Sequence, residues 1–497
     1  MKLLSIFHAA IALWLAVYGF NSLILALLYL WHRRERFSDP SVDAVDLPPV
    51  TVQVPVYNER HVVERVIDAV AELDYPTERL QIQILDDSTD QTSQLAQVRA
   101  AYHRRRGVDV TVLRRPERDG YKAGALAWGM IHARGELIAI FDADFQPPTD
   151  FLRRVVPHFV DRPRLGMVQT RWAHLNADYS PLTRAQVLAL DGHFVVEQIA
   201  RCRSGLLMTF NGAGGVWRRC CIEKAGGWSA DTLCEDLDLS YRAQLAGWSC
   251  AYLPDVSAPN EIPPQIAAFK RQQSRWAQGS IQALRKLAPS ILRTPRLSLA
   301  QKAMALIHLS SYLAHALMVI LLVVSLPILL APNAFWVSID GLGLACLGPP
   351  LVYLLSQHRL YADWGRRLRS LPLLALVGIG IAWRNTLAVW RGLTEWGGTF
   401  ARTPKFHLEG KDGTWDESDY RLQGDPSIRG EIALALYAVI GAAVAWRTGQ
   451  TGMLPFLVLN ALAFGTVAGL GIVQAWTSRQ GQSLRPATES RPRNPES

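Results

Sequence analysis

The sequence predicts a wound α/β domain carried by a helical membrane region, and three features predict it. Between about residues 48 and 300, short apolar runs of strand length alternate with helical patterns, the pattern of a sheet with helices packed on its faces. From Leu4 to Trp31 there is no Asp, Glu, Lys or Arg, and long apolar stretches resume only from about Ala303. The chain of 497 residues is too long for one ordinary soluble domain, and its 49% of hydrophobic residues are spread unevenly.

Taken in order, the opening apolar run exceeds the roughly 20 residues needed to cross a bilayer core. It lacks the short apolar core and small-residue cleavage site of a signal peptide, so residues 1–47 read as an uncleaved anchor and linker. The "HRRER" that follows is a cationic flank of the kind that stays cytosolic. Next, "VTVQVPVYN" and "LQIQILDDS" read as strands, "HVVERVIDAVAEL" between them as an amphipathic helix, and "VDVTVLRR" and "ELIAIFDAD" as later strands. Wound sheets bind ligands at the carboxyl ends of their strands. "PVYNER", "DDSTD" and "DADF" all fall there. An isolated Asp-x-Asp such as Asp142 and Asp144 is ordinarily a cap or a turn, but three polar clusters on one edge point to a site.

Beyond residue 300, spans are expected near 303–331, 334–356, 431–447 and 453–476. The basic "QHRLYADWGRRLRS" at 357–370 marks a cytosolic side. Segment 371–398 is apolar at first, then broken by Arg384, Asn385 and Arg391 among three tryptophans, so it is expected to lie in the interface. Five spans place the amino terminus outside and a disordered tail, 479–497, in the cytosol. The net charge of +9 then belongs to cytosolic flanks facing anionic lipid. No nucleic-acid recognition motif is present. Six cysteines without a CxxC pair fit free thiols in a reducing compartment.

The ordered set "PVYNER", "DDSTD", "GYKAGAL", "FDADFQP", "FNGAGGVWR", "EDLDLSYR" and "QQSRW" resembles the family 2 glycosyltransferases. More narrowly it resembles the membrane-bound processive β-glycan synthases, with wording nearest the cellulose-synthase-like mannan and glucomannan synthases. The resemblance covers about 50 to 290 and implies a GT-A-like α/β nucleotide-sugar-binding domain at 48–300, ending in an interfacial helix, plus an all-α transmembrane region at 301–478. It also implies roles. Tyr57, Glu59 and Asp87 would hold the donor's base and ribose, and Lys122 its nucleotide or phosphates. Asp142 and Asp144 would carry a divalent metal, Mg²⁺ or Mn²⁺, on the donor diphosphate; oxygen ligands suit both ions, and few carboxylates are needed when phosphates and water complete the shell. Asp236 would be the base that deprotonates the acceptor hydroxyl. Asn211, Gly212, Glu235 and Trp276 would form the acceptor pocket, with Gln272 and Arg275 reaching the donor diphosphate. "EWGGTFARTPK" resembles the gating loop of cellulose synthases, at about 395–410, and puts Thr403 and Lys405 over the donor.

Two positions depart from the family's common pattern: Cys234 stands where Thr often precedes the Glu-Asp pair, and Arg402 where Val often precedes Thr403. The implied activity is inverting, processive transfer of hexose from GDP-mannose or UDP-glucose into a secreted β-1,4-linked polysaccharide. The alternatives are single-sugar transfer to a lipid, and a nucleotide-sugar-binding receptor or transporter without turnover. The implied partners are the donor, the growing polysaccharide and the bilayer of a bacterial inner or Golgi-type membrane, with the catalytic domain cytosolic. Accessory envelope proteins or a second copy of the chain stay open.

Overall fold

A computed structural model describes residues 2–35, 47–331 and 340–483. Seven strands form one sheet: β1 (Val50–Val56), β2 (Leu80–Asp86), β3 (Val110–Leu113), β4 (Leu137–Ile140), β5 (Leu165–His174), β6 (Gly215–Arg218) and β7 (Ser249–Asn260). Their spatial order is β3-β2-β1-β4-β6-β5-β7. The first four are parallel, as the apolar runs predict; β6 is antiparallel to both neighbours, and β7 runs parallel to β5.

The centre of the sheet is covered on both faces: β4 is the apolar run LIAI, and β1, VTVQVPV, buries Thr51 and Gln53 along with its valines. All four residues of β4 are buried. Gln53 and Gln83, buried on adjacent strands, meet each other, Gln53 Nε2 donating to Gln83 Oε1 at 3.0 Å. The amphipathic helix expected after β1 forms over Val63–Ala71 and buries Val63, Val66, Ile67 and Val70.

Among the described residues, three helices are long and apolar enough to cross a membrane, at Leu3–His32, Ile428–Arg447 and Thr451–Thr477, and two bent pairs bring the number to five if each pair is one span. The first pair, Leu299–Leu309 with Leu313–Leu329, bends by 67°. At its break the hydroxyl of Tyr18 donates to Ser310 O at 3.0 Å, supplying a partner where the helical ladder is interrupted. The second pair, Trp364–Gly380 with Ala382–Thr394, bends by 44° and contains the segment expected in the interface. The span expected at 334–356 begins outside the described residues. Its described part is the 3₁₀ stretch Asp340–Leu347 and the 13-residue helix Gly348–Leu360, shorter than the roughly 20 residues of a full crossing. The last helix runs to Ser483, past the expected boundary at 478, and the rest of the expected tail lies outside the described residues.

Candidate active site

Every site residue named from the sequence lines one cavity of about 610 Å³, bounded by the carboxyl edge of β1, β2 and β4, the helix Glu235–Leu245, the long amphipathic helix Ile266–Arg293 and the segment 400–405.

At one end, Tyr57 lies just past β1, with the Arg118 guanidinium 3.3 Å from its ring centroid. Asp87, just past β2, is gripped in a fork by Arg115, whose Nε and Nη2 donate at 2.8 and 2.6 Å. Both carboxylate oxygens of Asp87 are thus already engaged, which the sequence did not foretell. Glu59 faces Arg402 at 3.5 Å. Burial pushes its carboxyl up to about 8, with Arg402 pulling the other way.

The turn after β4 holds Asp142 and Asp144 against different lysines. Lys122 Nζ donates to Asp142 Oδ1 at 2.5 Å and to Gly212 O at 3.1 Å. Lys405 Nζ donates to Asp144 Oδ2 at 2.7 Å, and the backbone N–H of Glu261 donates to the same oxygen at 3.0 Å. Burial pulls both lysines down, but the carboxylates around them, Asp142 for Lys122 and Asp144 for Lys405 foremost, outweigh it and raise them. Among the described residues no group of three or more His, Cys, Asp or Glu is set to hold a metal. The donor set fits a hard cation that completes its shell with phosphate oxygens and water, since Asp142 and Asp144 offer oxygen alone. The side chain of Asp142 is 35% exposed towards the cavity it lines.

Beside this group Glu235 and Asp236 open a helix, with Glu235 Oε1 4.0 Å from Lys122 Nζ. Asp236 Oδ1 accepts from the N–H of Leu237 at 2.8 Å. Burial, reinforced by the Glu235 charge and opposed by Lys122, pushes Asp236 up to about 7. Gly212 has φ of +84°, where a side chain would be strained, and a Cβ there would crowd Asp236 Oδ2 at 3.0 Å. The neighbouring Asp238 is fully buried and tied to Arg242 at 2.7 Å and Lys286 at 3.0 Å, and it does not line the cavity. It is a structural acid. Cys234 is buried, and burial drives its thiol well above the ordinary range, which leaves it a poor nucleophile at neutral pH.

Gln272, Arg275 and Trp276 share a face of the long helix, as their spacing dictates. The Arg275 guanidinium stacks over Phe400 at 4.2 Å and donates to Ala401 O at 3.3 Å, so in this state it holds the loop. Thr403 lines the cavity, and among the described residues its buried Oγ1 has no hydrogen-bond partner. Asn211 joins a polar chain: its Nδ2 lies 2.9 Å from His193 Nε2, and His193 Nδ1 lies 3.0 Å from Glu197 Oε2.

Sequence reasoning missed Arg115, Arg118, His193 and Glu261. Glu261 leaves a trace, because it follows β7 directly at the ligand-binding edge of the sheet. Its carboxylate accepts from the N–H groups of Phe406 at 2.8 Å and Leu408 at 3.1 Å, tying down the loop that carries Thr403 and Lys405.

Residues 48–279 match the family model described as glycosyltransferase like family 2. The chain is 42% identical over 268 residues to glucomannan 4-beta-mannosyltransferase 1 of Oryza sativa subsp. japonica, covering 53% of this chain and 51% of that protein. It is 41% identical over 278 residues to glucomannan 4-beta-mannosyltransferase 7 of Arabidopsis thaliana, covering 55% and 50%. The chain thus spans about half the length of the curated relatives it matches. Among solved structures, the mannosyltransferase PcManGT from Pyrobaculum calidifontis, in complex with GDP-Man and Mn²⁺, superposes with a TM-score of 0.51 at 24% identity, over 78% of this chain and 99% of that one. That superposition, with the mixed seven-stranded sheet, identifies the sheet-bearing part as GT-A-like in fold. The ordered motifs, the sheet that gathers them and the family match agree over one stretch: residues 48–279 are similar to the glycosyltransferase like family 2.

Proposed function

We propose that the chain is an inverting hexosyltransferase that extends a β-1,4-linked polysaccharide from a nucleotide sugar. The observation that carries this reading is one cavity lined by Asp236, by the neighbouring Lys122 and Asp142, by Asp144 and by Trp276. Asp236 is the base that takes the acceptor proton, and a carboxyl poised near 7 suits that task. Trp276 offers the flat apolar face on which a terminal sugar ring stacks. Tyr57, Glu59 and Asp87 hold the nucleoside end, Gln272 and Arg275 reach towards the diphosphate, and Asn211, Gly212 and Glu235 shape the acceptor end. Thr403 and Lys405 close over the donor from the loop, Lys405 exchanging Asp144 for phosphate oxygens.

Asp142 and Asp144 would hold Mg²⁺ or Mn²⁺, which supplies positive charge against the diphosphate that leaves. The names of the plant relatives support mannosyl transfer, and the GDP-Man and Mn²⁺ in the archaeal mannosyltransferase support this donor and metal class. The apolar helices would hold the catalytic domain at the cytosolic face of a membrane.

The test is incorporation of labelled sugar from GDP-mannose and from UDP-glucose into membranes containing the full chain, with product size and β-mannanase sensitivity as readouts. A polymer is expected from GDP-mannose, abolished by EDTA and restored by Mg²⁺ or Mn²⁺. A single sugar on a lipid would replace the polymerase reading, and full activity in EDTA would remove the metal from it.

A further inference from the structure

A second cavity, of about 550 Å³, lies on the far side of the helix Pro181–Asp191, where the domain meets the start of the second bent helix pair. Five cationic side chains line it: Arg184 from that helix, Arg366 and Arg367 from the turn Trp364–Arg367, Arg369 just after it, and Lys411 from the loop that also carries Thr403 and Lys405. Only two acids, Asp178 and Asp363, share the lining. Asp363 is spent on Arg367, which donates to it at 3.0 Å. Among the described residues, Arg184, Arg366, Arg369 and Lys411 have no carboxylate within ion-pair distance. The floor is polar as well: Gln357 is buried there, its amide donating to Asp191 at 2.9 Å.

Four unpaired cations from three separate segments converging on one hollow repel each other unless an anion sits among them, and guanidinium forks match phosphate oxygens. The position says which phosphate. The apolar helix Leu371–Gly380 begins directly after Arg369 and Ser370, and Trp364, 36% exposed, stands on the same turn as Arg366. This is the arrangement of a membrane-surface site, with aromatic and cationic anchors at the end of an apolar helix. We propose that this pocket binds a phosphate anion, supplied at the membrane surface by the head group of an acidic phospholipid. Lys411 makes the site consequential. Gly410 N–H donates to Leu175 O at 2.7 Å and Tyr179 Oη to Gly413 O at 3.3 Å, so the loop is pinned on both sides of Lys411. A bound phosphate adds a third fastening to the segment that reaches the catalytic cavity.

The test uses the full chain in detergent, titrated with short-chain phosphatidylglycerol, phosphatidylcholine and inorganic phosphate, with bound molecules counted by native mass spectrometry. Saturable retention of phosphatidylglycerol over phosphatidylcholine is expected. In R184Q/R369Q it should weaken by about 30-fold, the effect of removing two cations that each bind an anionic surface. R359Q, which removes a charge of the same basic segment outside the pocket, should bind as wild type. K411Q, at an exposed loop position, should weaken binding in a fold that the other changes do not touch, which covers the case in which the double variant does not fold. Retention of inorganic phosphate, lost in the same variants, would keep the anion site and make its ligand a soluble phosphate. Equal loss in R359Q and R184Q/R369Q, or equal retention of both lipids, would overturn the proposal. None of these readouts depends on sugar transfer, so failure here and failure of the transferase reading are separate results.

Discussion

Asp236 and Trp276 face the same cavity but are asked to do different things, so their losses should separate. Asp236→Asn preserves shape and removes the proton acceptor. Donor affinity, by calorimetry, should persist while transfer falls by roughly 10² to 10⁴, the usual share of general base catalysis. Trp276→Ala should leave donor binding intact and shorten the product, read by chromatography of the polymer. Parallel loss of folding, binding and transfer in both variants would make them merely structural. In the proposed mechanism the charged form of Asp236 is the active one, and burial raises its pKa to about 7. The rate at saturating donor should therefore be low in acid and climb with pH through about 7; a flat profile from pH 5 to 9 would exclude this base. At this scale much was legible, because acids at strand ends and the Gln-x-x-Arg-Trp spacing are written in the chain. What surrounds them was not. That Arg115 would occupy both oxygens of Asp87, or that Arg118 would cover Tyr57, follows from where a loop folds back, and no local pattern encodes that.

Among the elements, the parallel half of the sheet was readable, because its strands are short runs rich in Val, Ile and Leu, although β1 and β2 also bury Thr51, Gln53 and Gln83. β5, β6 and β7 were not identified. β6 is four residues inside a glycine-rich run that reads as a turn, and β7 carries Pro254 and Pro259 and polar residues that blur its alternation. The loop from Glu395 to Ser427 was seen only as a short motif, yet it is fastened along its length by Glu261, by Arg65 to Glu409 at 3.0 Å, and by Arg60 to Asp419 at 3.2 Å. Glu261→Ala would strand the buried N–H groups of Phe406 and Leu408, at a cost of about 1–3 kcal/mol each. Limited proteolysis should then cut between residues 400 and 427 faster than in the wild-type protein, while the sheet core stays resistant. Unchanged cleavage would mean that the other fastenings suffice and that Glu261 does not hold the loop.

For the molecule as a whole, the loop must lie on the same side of the membrane as the sheet it packs against. A cysteine placed at residue 410 should resist a membrane-impermeant reagent added from outside, and one at residue 450, in the turn between the last two apolar helices, should react. Labelling of both from outside would refute the topology. The two regions are also bolted together: Lys270, fully buried on the long amphipathic helix, reaches Glu431 at 2.8 Å and Asp425 at 2.9 Å at the start of a membrane helix. Removing that cation would leave the buried Glu431 without its ionic partner and Asp425 facing the more distant Arg384 at 3.7 Å, the costly way to break such a cluster. The shared cavity has a consequence for how such an enzyme can be altered. Its wall takes Tyr18 from the first helix, Asp142 from the turn after β4 and Lys405 from the loop that follows the helix Ala382–Thr394, so the site is not a cassette. A transplanted 48–279 segment would carry its base and its paired acids but arrive with its pocket open to solvent. Exchange between relatives should therefore succeed when the loop and the facing membrane helices travel together with the sheet, and fail when the cut follows the edge of the sequence match.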